Sequence, residues 1–167
     1  MKTLYLVRHA KSSWDEANQS DFERTLNERG ANDAAAMAKL LGKKNVKPEL
    51  IISSPAARAL LTAEIFAEQL HYLAKNILTD ERIYEATMRD LTSVVRGIDD
   101  KHHTAIMFGH NPGITNFANL LGSDYLPALP TCAIVGLELA IDSWSEIERY
   151  CGKTFFFDFP KSMGDKR

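Results

Sequence analysis

The chain has 167 residues, of which 45% are hydrophobic and 25% charged, and carries a formal net charge of −2. That balance fits one soluble domain with a sizeable core, and it gives no electrostatic basis for bulk nucleic-acid binding. No apolar run nears the roughly 20 residues that span a bilayer, and charge arrives too early at the N-terminus for a secretory leader, so the expected location is the cytoplasm, with no membrane or nucleic-acid partner.

In chain order, Thr3–Val7 predicts a first strand, followed by a polar loop over Ser12–Arg24. Glu28–Leu41 predicts a helix with Ala34, Ala35, Met37, Ala38 and Leu41 on one face and Gly42 as its stop. Lys43, Lys44 and Lys47 read as a solvated loop. Leu50–Ser54 predicts a second buried strand. A helix begins near Pro55, where proline is tolerated, and runs to about Leu70. Ile77-Leu78 is a short third strand, Arg89–Ile98 a helix, and Thr104–Phe108 a fourth strand ended by Gly109-His110-Asn111-Pro112-Gly113. A helix over Ile114–Leu121 follows, then two strands, Ala133–Leu139 and Arg149–Phe159, as an antiparallel pair. Short apolar runs alternating with helices predict a single-domain, three-layer α/β/α fold with a mostly parallel central sheet and an antiparallel C-terminal strand pair. The domain is expected over residues 1–160, with 161–167 as a polar tail.

Ligands of such sheets bind beyond the carboxyl ends of the strands. Three predicted strands end on polar or ionisable groups: Arg8-His9, Ser53-Ser54 leading to Arg58, and Gly109-His110. A histidine that accepts a phosphoryl group needs a neutral nitrogen aimed at phosphorus, cations on the non-bridging oxygens, and a proton for the leaving atom. Arg8 and Arg58 offer planar, permanently charged forks that match phosphate oxygens, and His110 offers a further hydrogen bond.

Leu6-Val7-Arg8-His9-Ala10, the run Ser53-Ser54-Pro55-Ala56-Ala57-Arg58-Ala59 with Thr62-Ala63, and Gly109-His110-Asn111 together resemble the three site motifs of the histidine phosphatase (phosphoglycerate mutase-like) superfamily. The segment Asp21 to Gly30 and the run His110-Asn111-Pro112-Gly113 resemble the small SixA-type branch, the protein-phosphohistidine phosphatases. The resemblance implies that His9 is the phosphoryl acceptor and that Arg8, Arg58 and His110 form the phosphate pocket. It also implies an acid after the third strand, and here Glu81 fits that pattern, with Glu85 as the fallback. Imidazole is a better leaving group than an alkoxide, so an enzyme for P–N bonds needs less help from such an acid. The connection from the second-motif helix to the fourth strand leaves no room for a large cap. An open site of this kind suits a phosphorylated side chain on a folded partner.

Arg24 either reaches the pocket or pairs with Asp21 or Glu28. Ser12 and Asn111 are further candidates for substrate contact, as are Lys11 and Ser13. His110 is also placed to cap the helix that follows it. His71, His102 and His103 read as loop residues, and Trp14 and Trp144 as packing or rim residues. A metal centre on His9 and His110 is disfavoured because Arg8 and Arg58 would repel a cation at the same rim. Cys132 and Cys151 stand in no metal-ligating or redox spacing and read as reduced thiols. No cofactor is expected. The leading expectation is a metal-independent phosphatase working through phospho-His9 on protein phosphohistidine. A small-molecule phosphomonoesterase and a non-catalytic phosphoprotein-binding module are the alternatives.

Overall fold

Among the described residues, the apolar runs become six strands of one sheet in the order β3-β2-β4-β1-β5-β6. In chain order these are β1 (Lys2–Arg8), β2 (Leu50–Ser53), β3 (Leu78–Thr79), β4 (Thr104–Gly109), β5 (Ile134–Leu139) and β6 (Gly152–Asp158). Strands β1 to β4 run parallel. β5 lies antiparallel to β1, and β6 antiparallel to β5. Among the described residues the four α-helices are α1 (Glu28–Lys43), α2 (Ala57–Gln69), α3 (Met88–Arg96) and α4 (Gly113–Leu121). The computed structural model describes residues 1–14 and 19–161, so part of the loop after β1 and all but the first residue of the expected polar tail lie outside the described residues.

The inner strands β1, β2, β4 and β5 are largely apolar because both sheet faces are covered there, whereas the edge strands β3 and β6 are partly exposed. Along β1, Leu4 and Leu6 join Leu91, Val94, Ile114 and Phe117 in one core layer. Tyr5 and Val7 point the other way and pack with Met37, Leu41, Ala63 and Phe66. The period-2 alternation of a strand thus sorts α3 and α4 to one face and α1 and α2 to the other, giving the expected α/β/α layers.

Local signals set most element ends. The Asn27 side chain caps α1 by accepting from Gly30 N at 2.7 Å, and Thr87 with Asp90 forms a capping box on α3. Gly42 does not stop α1. The helix continues through it to Lys43, and the chain reverses at Asn45, whose φ is 61°. Asparagine tolerates the left-handed region, which is why the break falls there. β3 is shifted by one residue from Ile77-Leu78, because Leu78 and Thr79 are the residues in register with Ile52 and Ser53. β6 starts at Gly152 rather than Arg149, after Tyr150 at φ 59° has bent the backbone out of strand geometry.

Register fixes where the site forms. Arg8 is opposite Gly109, and Ser53 is opposite Phe108, so three parallel strands end at one level. The first residues beyond those ends are locked to their neighbours. His9 N donates to Gly109 O at 3.0 Å, Ser54 N to Phe108 O at 3.0 Å, and Cys132 N to His9 O at 3.0 Å.

Candidate active site

His9 lies at the centre of this rim and is only 6% exposed. Its Nδ1 is 2.7 Å from the carbonyl oxygen of Ala10. A carbonyl only accepts, so the ring proton sits on Nδ1 and the lone pair is on Nε2. Burial pushes His9 down to about 4. The Ala10 hydrogen bond opposes that shift, and the charges of Arg58, Arg8 and Arg24 add to it. At neutral pH the imidazole is therefore unprotonated, with a nucleophilic nitrogen facing Arg58 Nε at 3.4 Å.

Two helices hold the loop that carries this ring. On α2, the fully buried Thr62 accepts from Ala10 N at 3.0 Å and donates to Arg58 O at 2.7 Å. On the α1 side, Asn27 N donates to Lys11 O at 3.1 Å, and Ser13 N to Thr25 O at 2.8 Å. Gly30 packs so closely that a Cβ there would land on the Lys11 carbonyl.

Arg58 comes from the first turn of α2, and its side chain is 7% exposed. Arg24 reaches the same place from the loop after β1 and does both things expected of it. It lines the cavity, and it pairs with Asp21 at 3.0 Å. Its guanidinium also bonds Ser12 Oγ and lies 3.7 Å from the Trp14 ring centroid. Arg8 is anchored through Nη1 to Leu129 O at 2.9 Å.

The His110 ring centre is 5.2 Å from that of His9. The His110 side chain does not cap α4, as the sequence suggested. Its Nε2 lies 2.8 Å from Ser54 Oγ, and only its backbone carbonyl serves the helix, accepting from Ile114 N at 2.8 Å. Burial pushes His110 down to about 3, helped by neighbouring His9 and Arg58. Asn111 uses both ends of its amide within the protein, donating to Leu129 O at 2.9 Å and accepting from Thr115 Oγ1 at 2.7 Å.

Arg8, His9, Arg24, Arg58, His110 and Asn111 converge on one cavity of about 370 Å³, with Lys11 and Ser12 also on its wall. Among the described residues, four buried side-chain polar atoms lack a partner, and three of them, Arg8 Nε, Arg24 Nε and His110 Nδ1, belong to residues of this wall. Glu81 sits in a short exposed 3₁₀ turn, Glu81–Ile83, and Glu85 is also exposed at φ 53°. Neither is among the lining residues. The residue of that stretch that reaches the site is Tyr84, which sets its ring edge-on to His110 at 5.5 Å and donates to Asp21 Oδ2 at 2.6 Å. Sequence reading gave Tyr84 no place in the site, and it named Asp21 as a partner for Arg24 and as the start of the SixA-like segment. The Asp-x-x-Arg spacing of Asp21 and Arg24 was the visible signal. A second cavity, of about 390 Å³, shares Asn111 and extends over Met88, Pro112, Tyr125 and Arg149.

Among the described residues, no group of three His, Cys, Asp or Glu side chains is placed to hold a metal ion. No helix among them is long and apolar enough to cross a membrane.

Comparison with known proteins agrees with this architecture. An uncharacterised chloroplastic protein of Arabidopsis thaliana is 30% identical over 153 residues, covering 87% of this chain and 70% of that protein. The SixA protein of Agrobacterium tumefaciens, assigned as a phosphohistidine phosphatase, superposes with a TM-score of 0.78 at 26% identity over 96% of this chain and 99% of its own. A protein histidine phosphatase SixA solved with tungstate has the same fold, with a TM-score of 0.79 at 21% identity over 94% of this chain and 96% of that one. The family model described as histidine phosphatase superfamily, branch 1, matches residues 4–113, which take in Arg8, His9, Arg58 and His110, and the chain belongs to that superfamily.

Proposed function

We propose that this protein is a phosphatase that removes phosphoryl groups from protein phosphohistidine through a covalent phospho-His9 intermediate, without a metal. The observation that carries the reading is the set of unpartnered buried atoms on Arg8, Arg24 and His110 around a histidine whose Nε2 is free of its proton. Unpaired buried polar groups are unfavourable, and a tetrahedral oxyanion would satisfy them together.

In this reading the Nε2 lone pair of His9 attacks phosphorus in line. The bond from phosphorus to the substrate nitrogen breaks, and the substrate imidazole, already protonated on its other ring nitrogen, leaves as the neutral ring. Arg8, Arg58, Arg24 and His110 hold the three non-bridging oxygens throughout. Water then attacks phospho-His9, restoring the imidazole and releasing phosphate. Because this chemistry proceeds in a site already rich in fixed cations, a metal ion would add little and would be repelled by the arginines.

The placement of Glu81 and Glu85 outside the cavity wall favours a P–N over a P–O substrate. An alkoxide leaves badly without an acid, whereas a protonated imidazole leaves readily. The second cavity, which shares Asn111 with the first, also suits a folded partner carrying the phosphorylated side chain. The likeness to the SixA proteins, one assigned as a phosphohistidine phosphatase and another bound to tungstate, supports the same choice.

The test is turnover of a phosphohistidine-bearing protein compared with sugar phosphates and nucleotides. His9→Ala is expected to abolish both turnover and covalent labelling by substrate. Glu81→Gln and Glu85→Gln are expected to leave kcat on phosphohistidine within about threefold. Full activity in His9→Ala would rule out the covalent route. Faster turnover of sugar phosphates would replace the substrate class with small phosphomonoesters.

A further inference from the structure

Asp21 stands in a turn that closes on itself and is fastened to α2. Glu23 N donates to Ser20 O at 3.1 Å and to Ser20 Oγ at 3.2 Å, and Ala57 N donates to Phe22 O at 3.0 Å. From that fixed turn Asp21 presents three acceptors to the site. Its backbone carbonyl takes Arg58 Nη1 at 2.6 Å, and its Oδ2 takes Arg58 Nη2 at 3.0 Å and the Tyr84 hydroxyl at 2.6 Å. Its Oδ1 takes Arg24 Nη2 at 3.0 Å. Both terminal nitrogens of Arg58 are thus held by one residue, and Nε is left to face His9 Nε2. Asp21 itself is absent from the cavity wall that Arg24 and Arg58 help to form, so it grips the two arginines from outside.

We propose that Asp21 is a positioning residue for phosphoryl transfer, its carbonyl and carboxylate fixing Arg58 and Arg24 at the spacing that receives the oxyanion. The inference rests on the phosphate-site reading above and adds the device that sets its cations. An arginine side chain has many rotamers, and ordering it before the substrate arrives removes that entropy from the binding and transfer steps. Tyr84, bonded to the same carboxylate and set against His110, couples this clamp to the third-strand loop. The Asp21 side chain is 50% exposed, and ion pairs of such exposure contribute little to folding stability. A role in geometry can therefore be separated from a role in stability.

The sign of the effect on anion binding separates positioning from simple charge. Removing a carboxylate beside a cationic pocket strengthens anion binding by Coulomb's law alone. Losing the arginine clamp weakens it. Tungstate binding is measured by calorimetry on the full chain, together with thermal midpoint and turnover of an aryl phosphate. Asp21→Asn is expected to bind tungstate about tenfold more weakly and to lose at least about tenfold in kcat. Its midpoint is expected to move by less than about 3 °C. Tyr84→Phe is expected to weaken tungstate in the same direction by about threefold. Ser20→Ala, which loosens the same turn without touching either arginine, is expected to stay within about twofold. Tungstate affinity in Asp21→Asn that equals or exceeds that of the unsubstituted protein overturns the proposal. An equal loss in Ser20→Ala also overturns it, because the effect would then belong to the turn. Absence of tungstate binding in the unsubstituted protein would instead remove the phosphate-site reading, and this inference with it.

Discussion

The chemistry of the site turns on which nitrogen of His9 holds the proton, and that is decided by one backbone oxygen. The Ala10 carbonyl fixes the tautomer, and burial among arginines keeps the ring neutral. With folded values of about 4 for His9 and about 3 for His110, both rings stay unprotonated down to roughly pH 5. Histidine NMR titration is expected to show this, and a His9 ring titrating near 6.5 would contradict it. The same shifts set a stability trend. In the unfolded chain both rings take up protons near 6.5, whereas the folded rings do not until about 4 and about 3. Across that interval the unfolded state binds more protons, so stability is complete above about 6.5 and falls as pH drops toward about 4. Asp21, held well below the usual carboxylate range by its bonds to Tyr84, Arg24 and Arg58, contributes at neutral pH and loses that contribution only below the usual carboxylate range, as its carboxylate protonates. Urea midpoints measured from pH 7 to pH 4 are expected to fall, with a shallower slope in His110→Gln. The titrating residues were visible in the sequence, as were Arg8 and Arg58. The Ala10 carbonyl and the Ser54 hydroxyl were not, because they act through placement and not through residue type.

The elements serve chiefly to hold short loops in place. Thr62 ties α2 to the His9 loop through Ala10 N, and Gly30 lets α1 approach the Lys11 carbonyl. Thr62→Val keeps the side-chain shape but strands a buried N–H, and is expected to destabilise by about 1–3 kcal/mol. Gly30→Ala is expected to push the 10–14 loop outward and to cost a similar amount, on the order of 2 kcal/mol. Denaturant unfolding with tungstate affinity alongside measures both, and unchanged affinity in Gly30→Ala would show that α1 does not support the site. Strands and helices were legible from periodicity because each buries a face. The ends of α1 and β6 were less so. Asn45 and Tyr150 take left-handed backbone that no apolar pattern announces. Glu81 and Glu85 show the same limit. Their order in the chain suggested a reach into the site, but Tyr84 between them is the side chain that turns inward, with Ile83 buried in the core.

At the scale of the molecule, a net charge of −2 coexists with a cavity wall carrying Arg8, Arg24, Arg58 and Lys11. The positive field is thus concentrated at one end of the sheet, where it steers anionic groups inward. For a phosphorylated protein, kcat/KM is expected to fall steeply as salt rises from about 50 to about 300 mM, while kcat changes little. Equal loss in both parameters would mean that the cations act only after docking. The convergence of three strand ends could be inferred before the structure was known, since parallel strands in one sheet finish at one edge. The support contributed by residues 129–133, between α4 and β5, of which Thr131 lines the cavity, could not. It is built from backbone groups, Leu129 O on Arg8 and Cys132 N on His9 O, which leave no trace in residue identity.

That segment also carries a cysteine whose backbone holds His9, Cys132 N donating to His9 O. Cys132 is fully buried, and burial pushes its thiol up, far from the range in which thiolates form at neutral pH. Its sulfur is thus held in the protonated, unreactive form, and the proposed phosphoryl acceptor at this rim is the His9 nitrogen. On the proposed phospho-His9 route, oxidants and alkylating agents that silence thiolate-dependent phosphatases are expected to leave turnover unchanged.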